Sequence, residues 1–272
     1  MKELWSKLPV WITALVIAAL LFFPVISINQ LLLFQNLFGY TSVAWSLPVI
    51  IFILWLYWRF TTGANKPFKP SDVRRDLSMT SKRKGGNLAG AFISIMGLML
   101  FTYSAVAIGY AFLDEGTDQL EMIKLFTAPR IAIAIPLILG LALTAGIVEE
   151  IVFRGYLQTM LERGYGVVIS FGVTAIIFAL LHFLPQILLV PYMLVSLAFS
   201  YVAYRSRTIV PGIIAHAGFD FVAIVLIYFN PEMAEKTYFQ ESLVVSVILL
   251  IISVAMIWYS QDRLVKRDTS GL

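Results

Sequence analysis

Apolar residues fill whole stretches of this chain, and most of the polar residues are gathered between the stretches. Eight apolar segments can be read, at roughly 9–28, 43–60, 88–112, 131–161, 167–184, 186–204, 208–229 and 242–260. A helix needs about 20 apolar residues to cross hydrocarbon, and these segments are of that order. A helix also satisfies its own backbone groups, which hydrocarbon cannot do. The pattern therefore predicts an all-α polytopic membrane protein, a bundle of about eight transmembrane helices. Pro185 and Pro191 leave only a very short turn between the fifth and sixth.

The polar loops sort by sign. Arg59, Lys66, Lys69, Arg74, Arg75, Lys82, Arg83 and Lys84 crowd the second loop, Arg163 marks the fourth, Arg205 and Arg207 the sixth, and Arg263, Lys266 and Arg267 the tail. The alternate loops are poor in Lys and Arg: 29–42 carries no charge, 113–130 carries Asp114, Glu115, Asp118 and Glu121, and 230–241 carries Glu232, Glu235 and Glu241. Basic loops stay cytoplasmic, so the N- and C-termini are both expected there. Lys2 and Lys7 before the run Val10–Ile26 resemble a signal peptide, but the run lacks a small-residue cleavage site. It reads as a retained first helix acting as a signal anchor.

Composition agrees with this reading. Hydrophobic residues make up 60% of the 272-residue chain and charged ones 13%, whereas a soluble domain carries roughly 25% charged residues. The absence of cysteine excludes disulfides, thiolate chemistry and Cys-ligated zinc. A net charge of +4 does not argue for nucleic acid, because the basic residues flank membrane segments, where topology accounts for them. The basic loop at 59–87 could meet anionic lipid, although a topology signal explains it more simply. One integral domain is expected, read in three parts: residues 1–130 with three helices and the basic loop, 131–229 with four helices, and 230–272 with the last helix and the basic tail.

Ionisable residues inside apolar segments carry the functional signal, because hydrocarbon tolerates them only against a bundle interior or a wet cavity. The chain's two histidines, His182 and His216, are both so placed, as are Glu149, Glu150, Arg154 and Asp220. Glu150 and Arg154 are four apart on one helical face, where a charge-assisted pair is natural, leaving Glu149 available for chemistry. Glu149 and Glu150 are adjacent, so about 100° separates them and they need different partners. His216 and Asp220 share a face on the seventh segment, with Pro211 suited to its first turn. At about 1.5 Å per residue, Glu149 and His182 both lie roughly 20–25 Å from the turn at Gly166, and Asp220 lies about 20 Å from Arg207. Side chains at one depth on neighbouring helices can meet. Each could instead be structural: a charge network that locks helices, a satisfied core histidine, or an Asp–His pair that only packs.

Glu149-Glu150-x-x-x-Arg154, Phe178-x-x-x-His182 and His216-x-x-x-Asp220, in this order, resemble the CAAX-protease and bacteriocin-processing (CPBP, or abortive-infection) family of intramembrane proteases. The likeness covers roughly residues 131–229. It implies a peptide hydrolase with its site sunk in the bilayer and reached from the cytoplasmic side, in a chain of the cell membrane. In the family, the first glutamate and the fifth-helix histidine activate a water, and the seventh-helix histidine with its partner stabilises the oxyanion. Carried over, Glu149 and His182 would activate the water, Glu150 and Arg154 would hold the arrangement, and His216 with Asp220 would meet the oxyanion. The family's pattern allows Asn or Asp at the last position. Asn can donate to an oxyanion and ionised Asp cannot, so Asp220 is either protonated or acts by orienting His216.

The aspartate also raises a metal alternative, with Glu149, His182, His216 and Asp220 as a zinc set, although no His-Glu-x-x-His motif is present. No cofactor is expected on the favoured reading. The implied partner is a peptide or protein substrate presented at the membrane, with no nucleic acid. A catalytically silent scaffold regulating a membrane partner would be expected to lose Glu149 or His182. A transporter built on inverted repeats should show intramembrane charge in both halves, and here all of it lies in the second.

Overall fold

The computed structural model describes residues 8–39, 43–63, 72–78, 88–112, 130–234 and 236–265, and among them there is no strand. The helices are α1 (Val10–Phe38), α2 (Ser46–Thr62), the short α3 (Asp72–Leu77), α4 (Leu88–Ala111) and α5 (Ile131–Glu149). A π-helical segment (Glu150–Gln158) and α6 (Thr159–Tyr165) continue α5. Then come α7 (Val167–Leu180), α8 (Gln186–Ser206), α9 (Val210–Phe229), α10 (Lys236–Glu241) and α11 (Leu243–Val265).

Six helices are long and apolar enough to cross a membrane: α1, α4, the run Ile131–Tyr165, α8, α9 and α11; α2 and α7 are shorter apolar helices. Every predicted segment falls on one of these helices, and the chain is an all-α polytopic membrane protein. Such helices need no amphipathic stripe, since lipid accepts Leu20, Phe52 and Ile251, all of them exposed. Pro24, Pro136 and Pro191 lie inside α1, α5 and α8, and apolar helices tolerate such prolines when neighbours satisfy the freed carbonyls.

Four expectations need correction. The first loop was placed at 29–42, yet α1 runs on to Phe38. Its polar residues find partners inside the bundle: Asn29 Nδ2 donates to Thr144 Oγ1 on α5 at 3.1 Å. The Asn36 carboxamide accepts from the Ser46 backbone N–H at 2.9 Å, closing the start of α2. Second, the helix carrying the glutamates is continuous to Tyr165 but is not α-helical throughout, because Glu150–Gln158 is π-helical. Third, α7 ends at Leu180, and His182 lies in the turn that follows. Fourth, Pro191 is inside α8, so Pro185 alone bounds the turn, with Phe183 at φ 50° just before it. The acidic loop at 113–129 and most of the basic 59–87 loop lie outside the described residues.

The bundle positions the site through α5, which packs against α1, α2 and α9. At Gly146 the approach of α9 is so close that a Cβ would stand 2.7 Å from the backbone nitrogen of Ala217. Glycine is therefore required there by backbone contact. On the far side, α4 lies against α11, α8 and α9.

Candidate active site

The π-helical segment starts at Glu150, directly after Glu149. Single-turn π insertions in helices recur at functional sites, and this one extends over 9 residues. Its i→i+5 turns are wider, so successive side chains are turned through a smaller angle than in an α-helix. Glu149 and Glu150 were expected to need different partners; instead they meet the same imidazole. His216 Nδ1 is 3.0 Å from Glu150 Oε1, and His216 Nε2 is 3.9 Å from Glu149 Oε2.

Behind the glutamates the arrangement is tightly packed. Arg154 is fully buried, and its Nη1 meets Glu150 Oε1 at 3.0 Å, as the i,i+4 spacing predicted. Its Nη2 donates to Ser196 Oγ at 3.2 Å on α8. Aromatic faces enclose the guanidinium, Phe178 at 4.6 Å and Phe199 at 5.3 Å from its central carbon. An ion pair this deeply buried holds only when hydrogen bonds complete it, and removing one member strands the other. Glu150 is paired with a cation and accepts from Nδ1, so His216 carries a proton on Nδ1. Gly212 keeps α9 close, since a Cβ there would stand 2.9 Å from Glu150 Oε2.

In front of the glutamates the contacts are longer and partly exposed. His182 Nε2 lies 3.9 Å from Glu149 Oε2, and His216 Nε2 lies 3.7 Å from Asp220 Oδ2. His182 Nδ1 is 2.7 Å from the Phe178 carbonyl oxygen, which can only accept, so Nδ1 carries a proton and Nε2 faces the site. The ring of Tyr192 tilts against that of His182 at 4.9 Å between centroids, and Tyr192 hydrogen-bonds Tyr110 on α4. Glu149 Oε2 itself is buried and has no hydrogen-bond partner.

All six residues singled out from the sequence are therefore brought together. The equal-depth argument placed them correctly although His182 sits beyond the helix end. Ser196, Tyr192 and Phe199 were missed: each is an ordinary residue of an apolar helix, and only the place of α8 beside Arg154 and His182 gives it a role. Phe178 was read only as part of a pattern. Its ring covers Arg154 and its carbonyl fixes the His182 tautomer.

The zinc alternative rests on Glu149, His182, His216 and Asp220, whose facing atoms stand 3.9 Å apart for Glu149–His182 and Glu149–His216 and 3.7 Å apart for His216–Asp220. Zinc draws N and O ligands to about 2.0–2.2 Å around one point. Among the described residues, no three His, Asp or Glu side chains form a group that could hold a metal ion.

Residues 131–222 match the family model "Type II CAAX prenyl endopeptidase Rce1-like", about a third of the chain. Comparison with curated proteins and with solved structures gave no match. The matched span holds all six site residues, and its family is a family of endopeptidases, which points to peptide-bond hydrolysis by an integral membrane protein. By that match, the part of the chain that carries the site is similar to the CPBP family of CAAX-type membrane proteases.

Proposed function

We propose that the chain is a metal-independent intramembrane endopeptidase that cleaves peptides or protein C-termini held at the membrane. The observation that carries this reading is Glu149 Oε2, buried, without a hydrogen-bond partner, and 3.9 Å from the Nε2 atoms of both histidines. A buried carboxylate oxygen left unbonded costs free energy unless it serves a ligand. A water bound there would be held by Glu149 and by the Nε2 lone pair of His182.

In this mechanism Glu149 takes a proton from the water as its oxygen attacks the scissile carbonyl carbon. The carbonyl oxygen becomes an oxyanion and accepts from His216 Nε2, with His216 in its imidazolium form and Asp220 ionised and orienting it. Collapse of the tetrahedral intermediate breaks the C–N bond, and the proton held by Glu149 passes to the leaving nitrogen. Glu150 and Arg154 touch no substrate; they fix the ring of His216 from behind.

The reading includes eight spans with both termini cytoplasmic and the site reached from that side, in the cell membrane. Two contacts support one shared end for several basic loops. Arg163 lies 3.7 Å from Asp76, and a Cβ at Gly164 would stand 2.9 Å from Val10 at the start of α1. Anionic lipid at the 59–87 loop belongs to the same proposal. In the described part of that loop Arg74 donates to the Phe60 carbonyl at 3.2 Å.

The test is cleavage of a membrane-peptide library by the purified protein, comparing wild type with Glu149→Ala, each with and without a strong chelator. Cleavage lost in the variant and kept under chelation is the expected result. Loss under chelation would replace this mechanism with a zinc one using the same residues. No cleavage by folded wild type would favour a scaffold that regulates a membrane partner.

A further inference from the structure

We infer that a file of buried water runs behind the active site, from Arg154 to the end of the bundle at Glu162. The argument starts from hydroxyl bonding. Buried Ser and Thr side chains on apolar helices normally bond a carbonyl of the preceding turn. Thr102, Ser104, Thr144 and Ser206 do so here. Thr174 Oγ1 on α7 and Ser200 Oγ on α8 do not, and both residues are fully buried. Gln158 Oε1 and Arg154 Nε, on the π-helical segment between them, are also buried without a partner.

The residues that carry these atoms lie along one line of contacts. Gln158 Nε2 donates to the Ser200 carbonyl at 3.2 Å and to Glu162 Oε1 at 2.8 Å, and Glu162 is partly exposed. Ser170 Oγ donates to the Gln158 carbonyl at 2.8 Å. Because α7 runs antiparallel to the π-helical segment, Thr174, one turn on, falls at the level of Arg154. Phe178, the next turn, lies against the Arg154 guanidinium. On α8, Ser196 meets Arg154 and Ser200 meets Gln158, so that helix follows the same line. Two hydroxyls on separate helices, an amide oxygen and a guanidinium N–H thus lie buried and partnerless along the same packed helices, and polar groups of this kind are what a buried water requires.

The use of such a file follows from the reaction, and to that extent it rests on the proposed function. Hydrolysis consumes one water per bond. The exposed side of the site is the side of His182 and Asp220, and a bound peptide would cover it. Water held behind Arg154 remains available when the front is closed.

The experiment uses the full chain in bilayer nanodiscs with Thr174→Val, Ser200→Ala and, as a control, Ser246→Ala. Ser246 Oγ is equally buried and partnerless but lies on α11, away from the site. Removing a polar group that bonds nothing should leave the melting temperature level or raise it; removing one that binds water should lower it. The expected result is a fall of about 2–4 °C for both file variants, with no fall for Ser246→Ala. A level or raised melting temperature in either file variant, or an equal fall in all three, would overturn the file. The melting result needs no catalytic activity, so it stands or fails apart from the protease reading. In active enzyme the supply role predicts a lower kcat at unchanged KM for both file variants, and an unchanged kcat would remove that role.

Discussion

Two helix pairs in this bundle close on each other through glycine and bury opposite chemistry. Where α5 meets α9, Gly146 sits against the backbone of Ala217, and Glu150, Arg154 and His216 lie in the same layer. Where α4 meets α11, a Cβ at Gly97 would stand 3.0 Å from Ile257 Cγ1, and the buried polar groups are neutral. Ser94 and Ser260 share a hydrogen bond of 2.7 Å, and Gln261 Nε2 donates to Ser94 Oγ at 2.8 Å. Small residues with hydrogen bonds are sufficient to hold membrane helices together. The charges between α5 and α9 exceed what adhesion needs, and only there is a carboxylate oxygen left unbonded beside two imidazoles. Buried polarity is common in this bundle; among the described residues, buried charge is confined to the site.

The largest effect should come from Arg154→Met. It leaves Glu150 as a buried carboxylate without its cation, a loss of about 3–5 kcal/mol, seen as a large fall in unfolding midpoint and in folded yield. The double variant Glu150→Gln/Arg154→Met should recover part of that loss while remaining inactive, because His216 then lacks its anchor. If Arg154→Met alone melted like wild type, the charged layer would be no more structural than the neutral seam.

Next in size is the contrast between the two glycines. Gly146→Ala drives a methyl into backbone and should cost about 1–3 kcal/mol, with activity falling further because α9 carries His216. Gly97→Ala meets the Ile257 side chain first, whose rotamer can give, so a smaller melting shift and wild-type turnover are expected. Equal losses of turnover in the two variants would break the distinction between a seam that positions chemistry and one that only packs.

Asp220→Asn should change kcat/KM by less than about tenfold, or 1.4 kcal/mol, because an amide can meet the oxyanion directly. Asp220→Leu should lose more, since it can neither orient His216 nor donate. A loss in Asp220→Asn as deep as in Asp220→Leu would show that the carboxylate itself is needed.

Different physical causes set what could be read ahead of the structure. The apolar segments were legible because lipid imposes a length and a composition on each helix, and the six site residues because charge in hydrocarbon needs a reason. Spacing along the chain also gave the Glu150–Arg154 pair and the level of His182. The end of α1 was misjudged because Asn29 and Asn36 look like loop residues when their partners Thr144 and Ser46 are unknown. The π-helical segment leaves no composition signal, and it changes which face Glu150 presents. His216 as the common partner of both glutamates follows from that change together with the close approach at Gly146 and Gly212. Neither can be seen in the order of residues.

The smallest effect should be Gln261→Leu. The substitution removes two donated bonds, to Ser94 at 2.8 Å and Ser260 at 3.2 Å, together with the amide oxygen, which is buried without a partner. Only the bond to Ser94 crosses between helices, and interhelical hydrogen bonds in membranes average about 0.6 kcal/mol each; loss of the stranded oxygen offsets part of that. A destabilisation of no more than about 1 kcal/mol is therefore expected, with turnover unchanged, measured by thermal melting and peptide cleavage on the same preparation. A large loss of turnover without a matching loss of stability would mean that α11 reaches the site through α4, and that the neutral seam also sets the position of Glu149.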